Sequence, residues 1–365
     1  MLYSFVVPIY NDGALARDFC IEMASVFRRY LGHDDLARDL EVIFVDDGSA
    51  NDSPQLLKTV CDEFAFAKCM LLSRNFGQHI ATSAGYRAAS GDYVGTLNVD
   101  MEEAPRYLPD LLDALKQGNY DIVGGRHSGR PVRFHTRMTS YLFTVVMNRL
   151  TGYQTPVNAT TMRIMTRRAA DVYNSLTEKS RYIPGLEHWL GMRYTRVPIE
   201  QQPRKAGKSS YNFRRRLRMA YASVISFSDF PLRLAVKFGM LVAVTGMLLA
   251  VGLILKKWFG SSILPGYTST FVLIVFLGGV QIAVTGVASL YIGRILAEVQ
   301  HRPLFVVRET YGGELRTLDV PIMRGSTSRA PEAGTDAAAS NGAPPAPTAP
   351  RHVHEAPSQT QAASG

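Results

Sequence analysis

The sequence predicts a doubly wound α/β domain with a mostly parallel sheet, followed by an amphipathic interfacial helix and a two-helix transmembrane hairpin. Short apolar runs rich in β-forming residues alternate with longer helical stretches from residue 4 to residue 124. Further along, residues 238–255 and 268–292 are apolar and carry no charge. A basic segment with interspersed aromatic residues, at 212–227, lies directly before the first of these stretches.

The predicted strands are covered on both faces of the sheet. The run VIFV at residues 42–45 shows no polar alternation, which is typical of such strands. Because strands alternate with helices, the pattern predicts βαβ units and a parallel sheet. We predict strands at Ser4–Val7, Leu40–Val45, Lys68–Leu72, Tyr93–Leu97 and Asp121–Gly124, with helices at Ala14–Leu31, Ser53–Phe64, Gln78–Ala89 and Arg106–Lys116.

Polar residues follow each of the first four strands. Open α/β sheets bind ligands beyond the carboxyl ends of their strands, and four polar turns at one edge favour a binding site over unrelated turns or helix caps. Gly48 permits a sharp turn, and Ser53 is predicted to cap the next helix. The absence of a Gly-x-Gly-x-x-Gly or P-loop motif argues against a dinucleotide fold or P-loop enzyme. The four turns are Tyr10–Asp12, Asp46–Ser49, Ser73–Asn75 and Asn98–Asp100.

A candidate metal site lies in the stretch TLNVDMEEAP at residues 96–105. Asp100 and Glu102 are two residues apart, so both carboxylates point to the same side of an extended chain. One or two carboxylates together with substrate phosphates are the usual ligands of Mg²⁺ and suit Mn²⁺ as well. The alternative is that Glu102 and Glu103 only stabilise the start of the helix after Pro105.

The charge distribution favours a membrane surface over nucleic acid as a partner. The 365-residue chain has a formal net charge of +9, and residues 204–218 hold seven basic and no acidic side chains. Since this cluster precedes the first apolar stretch, it suits the anionic headgroups of membrane lipids. Each apolar stretch is long enough to cross a bilayer, and the basic flanks place both long ends of the chain in the cytoplasm.

The rest of the chain completes this organisation. The N-terminus lacks the basic flank of a signal peptide, and Cys20, Cys61 and Cys69 show neither metal-ligand spacing nor an even disulfide set, which suits a reducing cytoplasm. The glycines at 278, 279 and 286 would allow self-association into a homo-oligomer. We predict a cytoplasmic domain at 1–211, a juxtamembrane helix at 212–231, a transmembrane hairpin at 232–294 with spans at about 234–255 and 268–292, a cytoplasmic exit segment at 295–319 and a disordered tail at 320–365.

Four motifs occur in the order seen in one enzyme family. They are VVPIYND at 6–12, VIFVDDGSANDS at 42–53, the stretch from LLSRNFGQH to GTLNVD at 71–100, and RKAGKSSY at 204–211. With them, residues 3–308 resemble inverting family 2 glycosyltransferases of the polyisoprenyl-phosphate type, such as dolichyl-phosphate mannose synthase and the bacterial undecaprenyl-phosphate enzymes with two C-terminal membrane helices. The resemblance implies a GT-A-like fold and transfer of a sugar from a nucleotide-sugar to a polyprenyl phosphate. It also implies a multi-pass protein of a bacterial-type cytoplasmic membrane that acts in cell-envelope glycan or lipid modification.

The resemblance further implies roles for individual residues. The family motif Asp-x-Asp-x-Gln reads Asn-Val-Asp-Met-Glu at residues 98–102, which maps a Mg²⁺ or Mn²⁺ ion onto Asp100 and Glu102. Arginines suit the phosphate positions because guanidinium groups form bidentate bonds to phosphate oxygens. The implied catalytic residues are Asp100, Arg126 and Arg204, the donor-binding residues are Pro8, Tyr10, Asp12, Asp47 and Asn98, and the lipid-phosphate-binding residues are Arg137, Ser140, Arg204 and Ser209.

Two alternatives stay open at this point. A processive polysaccharide synthase would carry a Gln-x-x-Arg-Trp motif and more membrane helices, whereas the only tryptophans, Trp189 and Trp258, lie outside such a motif. A catalytically silent membrane scaffold or lipid-binding partner of a glycosylation system is favoured by three departures from the family pattern. These are Asn98 and Asn158 in place of aspartates and Ser210 in place of a lysine.

Overall fold

A mixed eight-stranded sheet organises the protein in the computed structural model, which describes residues 1–128, 159–179, 181, 183–200, 230–259, 266–316 and 322. The strands are β1 (Tyr3–Ile9), β2 (Leu40–Asp46), β3 (Ala67–Leu72), β4 (Tyr93–Thr96), β5 (Ile122–Ser128), β6 (Ala159–Thr166), β7 (Tyr194–Glu200) and β8 (Val307–Tyr311). The helices are α1 (Ala16–Leu31), α2 (Leu36–Asp39), α3 (Ser53–Glu63), α4 (Gln78–Ala88), α5 (Leu108–Gln117), α6 (Arg167–Ser175), α7 (Ile183–Trp189), α8 (Phe230–Trp258) and α9 (Tyr267–Val299), with 3-10 turns at Gly13–Leu15 and Pro105–Tyr107.

The strand order is β7-β5-β6-β4-β1-β2-β3-β8. Strands β4, β1, β2 and β3 run parallel, β5 and β7 are parallel to each other, and β6 and β8 are antiparallel to their neighbours. The carboxyl ends of β1 to β5 therefore lie at one edge of the sheet. Since β1 has β2 on one side and β4 on the other, this edge contains the topological switch point at which such sheets bind ligands.

Helices cover both faces of the sheet, as the apolar strands predict. On one face Phe5 and Phe44 pack with Phe19 and Phe27 of α1, together with side chains of α3 and α5. On the other face Val6, Ile43 and Val45 pack against α4, α6 and α7. Each fully buried side chain of this size stabilises the fold by about 1.5–3 kcal/mol, so both layers hold the strand ends in place.

The predicted role of Ser53 as a helix cap is wrong. Ser53 is the first residue of α3, and no side chain caps this helix. The Ser53 hydroxyl instead accepts a hydrogen bond of 2.9 Å from the Gly13 N–H. A Cβ atom on Gly13 would lie 2.6 Å from the Ser53 Cα, so a glycine is required for this close approach between the turn after β1 and α3.

Two long apolar helices contact each other after the α/β layer. Helix α8 contains the first predicted span and α9 contains the second. Among the described residues, one segment is long and apolar enough to cross a membrane, namely Phe276–Val299 of α9, with 24 residues and a mean hydropathy of 1.5. Large side chains such as Ile282, which is 75% exposed, have no protein cover. The first predicted span, at about 234–255 in α8, stays a prediction. Most of the predicted juxtamembrane helix and nearly all of the predicted tail lie outside the described residues.

The chain after α9 returns to the sheet as β8, which the sequence analysis did not predict. Residues 300–306 lead from the end of α9 to β8, and β8 pairs antiparallel with β3. Phe305 is fully buried, Lys58 of α3 forms a 2.8 Å ion pair with Glu309, and the Tyr311 hydroxyl donates to Asp62 at 2.7 Å. Part of the predicted exit segment is therefore an edge strand of the sheet.

Candidate functional site

Asn11 joins the turns that follow β1 and β2. Its backbone has a φ of 63°, a left-handed conformation that asparagine tolerates better than most residues. Its N–H donates to the Ser49 hydroxyl at 2.8 Å, and its side-chain oxygen accepts from the Ala50 N–H at 3.0 Å. The Asn51 side chain donates to the Asn11 carbonyl at 3.0 Å. These bonds fix the two turns relative to each other at the edge of the sheet.

Asp47 holds the loop after β3. Its Oδ1 accepts from the Phe76 N–H at 2.7 Å and its Oδ2 accepts from the Gly77 N–H at 2.9 Å. Burial raises the pKa of Asp47, while these two backbone hydrogen bonds lower it. Each carboxylate oxygen has a second lone pair, so Asp47 can both order this loop and accept a bond from a ligand.

Gly48 is required where the loops after β2 and β3 meet. Its φ is +68°, and a Cβ atom here would lie 2.4 Å from the Arg74 carbonyl carbon. A side chain at this position would push the two loops apart. The sharp turn predicted at Gly48 is confirmed, with a close backbone approach as an additional reason.

The residues after β4 form a turn, and the prediction of extended geometry there is wrong. β4 ends at Thr96, Met101 has a φ of 56°, and the Glu102 N–H donates to Asp100 Oδ1 at 3.3 Å. An aspartate that accepts from the N–H two residues on forms a local turn of its own. Asp100 and Glu102 are both half-buried, and they lie in this turn and not in an extended strand.

Asn98 and Glu103 connect this turn to the rest of the fold. Gln78, the first residue of α4, donates its side-chain N–H to Asn98 Oδ1 at 3.0 Å. Glu103 is buried, and its carboxylate accepts from the Thr161 N–H at 2.9 Å, the Thr161 hydroxyl at 2.8 Å and the Met162 N–H at 2.6 Å. Burial raises the pKa of Glu103, and these three bonds oppose it. Glu103 thus anchors the Asp100 turn on β6.

The other predicted donor residues that the structure describes lie at the same edge. Pro8 is half-buried in β1, Tyr10 follows β1 and is 48% exposed, and Asp12 is exposed and makes no side-chain capping bond. Arg126 is exposed near the end of β5, level with Ala159 of β6. The structure therefore places all the described candidates at the carboxyl ends of neighbouring strands, with Arg126 on β5 across β6 from the rest. Those at the ends of β1, β2 and β4 are Pro8, Tyr10, Asp12, Asp47, Asn98, Asp100 and Glu102. Arg137, Ser140, Asn158, Arg204, Ser209 and Ser210 lie outside the described residues.

The carboxylates after β4 fit a divalent cation that is also bound by a substrate. Among the described residues, no cluster of three or more His, Cys, Asp or Glu side chains is placed to hold a metal ion. Mg²⁺ commonly takes one or two protein carboxylates and completes its shell with water and substrate phosphates. Asp100 and Glu102 supply oxygen ligands of this kind.

A buried ion pair joins β6 to α7, and its arginine affects His79 of α4. Arg163 of β6 donates to both oxygens of Glu187 in α7, at 2.9 and 3.0 Å, and both side chains are buried. His79, next to Gln78 in α4, has a pKa lowered to about 4, chiefly by burial and also by the positive charge of Arg163. His79 is therefore neutral at physiological pH.

Lowering the pH is expected to destabilise the protein through His79. Between its unfolded pKa of 6.5 and its folded value of about 4, the unfolded chain binds a proton that the folded protein does not. The free energy of unfolding should therefore fall by up to about 3 kcal/mol as the pH drops through this window. Urea unfolding of the detergent-solubilised chain and of His79→Gln measures this. An equal loss of stability in both proteins over the window would contradict the expectation.

Comparison with known proteins decides the family. A model described as glycosyl transferase family 2 matches residues 4–173. An uncharacterized glycosyltransferase of Synechocystis sp. is 32% identical over 317 residues, which cover 87% of this chain and 98% of that protein. The chain belongs to glycosyl transferase family 2. The predicted resemblance to the polyisoprenyl-phosphate branch of family 2 is confirmed, and the protein is a glycosyltransferase.

Further relatives of this family 2 glycosyltransferase are similar along most of their length. The undecaprenyl-phosphate 4-deoxy-4-formamido-L-arabinose transferase of Yersinia enterocolitica is 29% identical over 318 residues, 85% of this chain and 94% of that protein. A solved mannosyltransferase of Pyrobaculum calidifontis covers 77% of this chain and 86% of its own at 16% identity and a TM-score of 0.39. That structural likeness is too distant to inform on ligands.

The sequence alone did not identify Asn11, Gln78 or Glu103 as residues that shape the site of this family 2 glycosyltransferase. Asn11 stands next to two residues that were assigned, but its left-handed backbone is invisible in the sequence. The sequence predicts a helix-start residue or a metal ligand at Glu103 and not an anchor on β6, because its partners there are 58 and 59 residues away. A useful signal for Glu103 is that it ends a run of carboxylates and is followed directly by Ala104 and Pro105. These two residues lie in a buried turn that excludes solvent.

Proposed function

We propose that this enzyme transfers a sugar from a nucleotide-sugar to a polyprenyl phosphate of the undecaprenyl type, with inversion, at the cytoplasmic face of the membrane. The product would be a lipid-linked monosaccharide for cell-envelope glycan or lipid modification. One observation carries the proposal. A short segment connects the sheet edge that bears the candidate site to a helix long enough to cross a bilayer.

The length of this connection limits how far the site lies from the membrane. Seven residues, 300–306, separate the end of α9 from β8, and they span at most about 24 Å when fully extended. β8 begins beside Leu72, at the carboxyl end of β3, and the Ser73 N–H donates to the Val306 carbonyl at 2.9 Å. A phosphate carried by a membrane lipid can therefore lie near the edge that holds Asp47 and Asp100.

A second contact holds the end of α9 against the α/β domain. The Lys179 N–H donates to Glu298 Oε1 at 2.9 Å, and the Lys179 ammonium donates to the Ala297 carbonyl. A lysine suits the C-terminus of a helix because it meets carbonyl groups that have no partner within the helix. The domain thus contacts the end of α9 at two places, the segment before β8 and the segment between α6 and α7.

The donor is proposed to bind where β1, β2 and β4 end. In this proposal Pro8, Tyr10, Asp12 and Asp47 bind the base and ribose, and the carboxylates accept hydrogen bonds from imide and hydroxyl groups. Asn98 faces the sugar or a bound water, with its oxygen held by Gln78. Asp100 and Glu102 would hold Mg²⁺ or Mn²⁺ together with the donor phosphates, and the bound ion would neutralise the charge of the departing nucleotide.

The lipid phosphate is proposed to bind at the other end of the site. Arg126 is exposed at the β5 end of the edge, where a guanidinium group can bind phosphate oxygens in bidentate fashion. The family resemblance assigns Arg137, Ser140, Arg204 and Ser209 to the same task. In this proposal the segment at 212–231 lies in the membrane interface, and the helices at 232–294 form the hairpin that anchors it.

The proposed reaction is an in-line displacement at the anomeric carbon. A phosphate oxygen of the lipid forms a bond to this carbon as the bond to the donor diphosphate breaks, and the bonding electrons leave with the nucleoside diphosphate. The lipid phosphate is an anion near neutral pH, so the reaction needs no strong general base. Rate enhancement would come from positioning the two phosphates and from neutralising the leaving group.

Transfer to lipid is tested with purified enzyme in vesicles that contain undecaprenyl phosphate. A panel of radiolabelled nucleotide-sugars is supplied with Mn²⁺ or Mg²⁺, and label in the lipid fraction is measured. We expect one donor to label the lipid, no label when undecaprenyl phosphate is omitted, and a labelled product of inverted anomeric configuration. If a donor is hydrolysed or transferred to a water-soluble acceptor and the lipid is never labelled, the proposed acceptor is wrong.

A further inference from the structure

The side chain of Asn98 is held at one end by Gln78. Gln78 is exposed at the first position of α4, and its Nε2 donates a hydrogen bond of 3.0 Å to Asn98 Oδ1. Asn98 follows β4 and is half-buried. Within the part of the chain that the structure describes, no group accepts a hydrogen bond from the amide nitrogen of Asn98. The bond to Gln78 therefore sets which end of the Asn98 amide is available to a ligand.

Backbone hydrogen bonds keep Gln78 in this position. Asp47 accepts from the N–H groups of Phe76 and Gly77, directly before α4. Gly77 has a φ of +101°, a conformation that favours glycine, and its carbonyl accepts the first backbone hydrogen bonds of α4. The turn after β2 thus fixes the start of the helix whose first residue orients Asn98.

The available end of this amide is a hydrogen-bond donor. An asparagine side chain has an oxygen that accepts and an NH2 group that donates, and Gln78 already bonds to the oxygen. An aspartate at this position would instead present a second oxygen that only accepts. Since Asp100 and Glu102 place carboxylates two and four residues further on, Asn98 is the residue of this turn that offers a donor in place of a negative charge.

We propose that Asn98 donates its amide N–H to the sugar of the donor and that Gln78 is a positioning residue that orients this amide. The group recognised is an oxygen that accepts hydrogen bonds and cannot donate them. The carbonyl of an N-acylated amino sugar and the carboxylate of an acid sugar are such groups. This inference rests on the proposed use of a nucleotide-sugar donor, and it narrows the class of sugar.

The position of Asn98 next to the proposed metal ligands supports contact with the sugar. An ion on Asp100 would bind the donor phosphates, and the sugar is bonded directly to one of them. Asn98 lies two residues before Asp100, so its side chain lies near that end of the donor. A sugar hydroxyl can donate or accept and therefore fits an aspartate or an asparagine, whereas a carbonyl or carboxylate oxygen fits only the side chain that donates.

The test measures transfer to undecaprenyl phosphate in vesicles by the full-length chain with Mn²⁺. The value of kcat/KM is compared for UDP-glucose against UDP-N-acetylglucosamine and UDP-glucuronic acid, and for GDP-mannose against GDP-mannuronic acid. The variants are Gln78→Glu and Asn98→Asp. A glutamate at position 78 only accepts hydrogen bonds, so it would turn the Asn98 amide round. Gln117→Glu is the matched control, because Gln117 is an exposed glutamine at the last position of α5.

We expect the wild type to use the sugar with the carbonyl or carboxylate more efficiently than the hydroxyl sugar on the same nucleotide. Gln78→Glu and Asn98→Asp should lower this ratio of kcat/KM values by about 10- to 100-fold, the effect of one misdirected hydrogen bond in a closed site, while transfer of glucose or mannose continues. Gln117→Glu should keep the wild-type ratio. An unchanged ratio in Gln78→Glu, at any overall rate, would overturn the positioning role.

A second pair of variants separates the orientation of the amide from the added charge. Asn98→Ala has no amide to turn, so adding Gln78→Glu to it should leave the ratio unchanged. If Gln78→Glu lowers the ratio equally in both backgrounds, it acts through its charge and the inference is wrong. A wild-type preference for glucose or mannose would also overturn this inference alone. If no donor labels the lipid, the proposed function fails and this inference fails with it.

Discussion

Replacing Asp100 with alanine is expected to lower the rate of sugar transfer on the order of 10³-fold, because the variant loses a carboxylate at the point where charge builds up on the leaving nucleotide. The structure supports a large effect for this residue in particular. Asp100 lies in a turn that hydrogen bonds hold on two sides. Glu103 bonds to the backbone of β6, and Asn98 bonds to Gln78 of α4.

The measurement is initial-rate transfer to undecaprenyl phosphate at saturating donor, with Mn²⁺ varied over a wide range. Asp110→Ala is the matched control, because Asp110 is an exposed aspartate in the first turn of α5. Circular dichroism and vesicle binding should show that both variants fold and stay membrane-bound. A wild-type rate for Asp100→Ala, with the same dependence on Mn²⁺, would show that Asp100 is not a ligand of the metal ion.

The central strands could be predicted from the sequence because their apolar runs match the burial that these strands have in the folded protein. β1, β2 and β3 are apolar on both faces and each is followed by a helix with one apolar side, so no other packing buries them. The edge that carries the site follows from this parallel arrangement alone. The predicted strands differ from the observed ones by no more than a few residues at their ends, as at β5, which continues past Gly124 to Ser128.

Long-range pairing could not be predicted in the same way. The ion pair between Lys58 and Glu309 joins residues 251 positions apart, and a short strand such as β8 has little pattern of its own. The turn at Asp100 was mispredicted for a different reason. Nothing local marks Met101 for a positive φ, and the turn is stabilised by Glu103 through β6, a partner that only the folded chain brings close.

The second large effect concerns stability. Arg163→Met is expected to lower the free energy of unfolding by about 3–5 kcal/mol, because it leaves Glu187 buried without its positive partner. Burial already raises the pKa of Glu187 in spite of Arg163. Burial lowers the pKa of Arg163, but Glu187, Tyr86 and Tyr194 together outweigh it and raise this pKa. Arg163 also donates to the Thr161 and Thr160 carbonyls, at 3.1 and 3.3 Å, so the loss extends to the part of β6 that holds Glu103.

Unfolding by urea, followed by tryptophan fluorescence in detergent, measures this loss. Arg193→Met is the matched control, because Arg193 pairs with Asp121 at the surface with 55% of its side chain exposed, and such pairs contribute at most about 1 kcal/mol. The double variant Arg163→Met/Glu187→Leu distinguishes a missing partner from a lost contact. If the cost comes from the unpaired carboxylate, the double variant is more stable than Arg163→Met alone. If instead Arg163 acts mainly through its bonds to the β6 carbonyls, the double variant is no more stable than the single one, and the support of the Asp100 turn depends on those bonds.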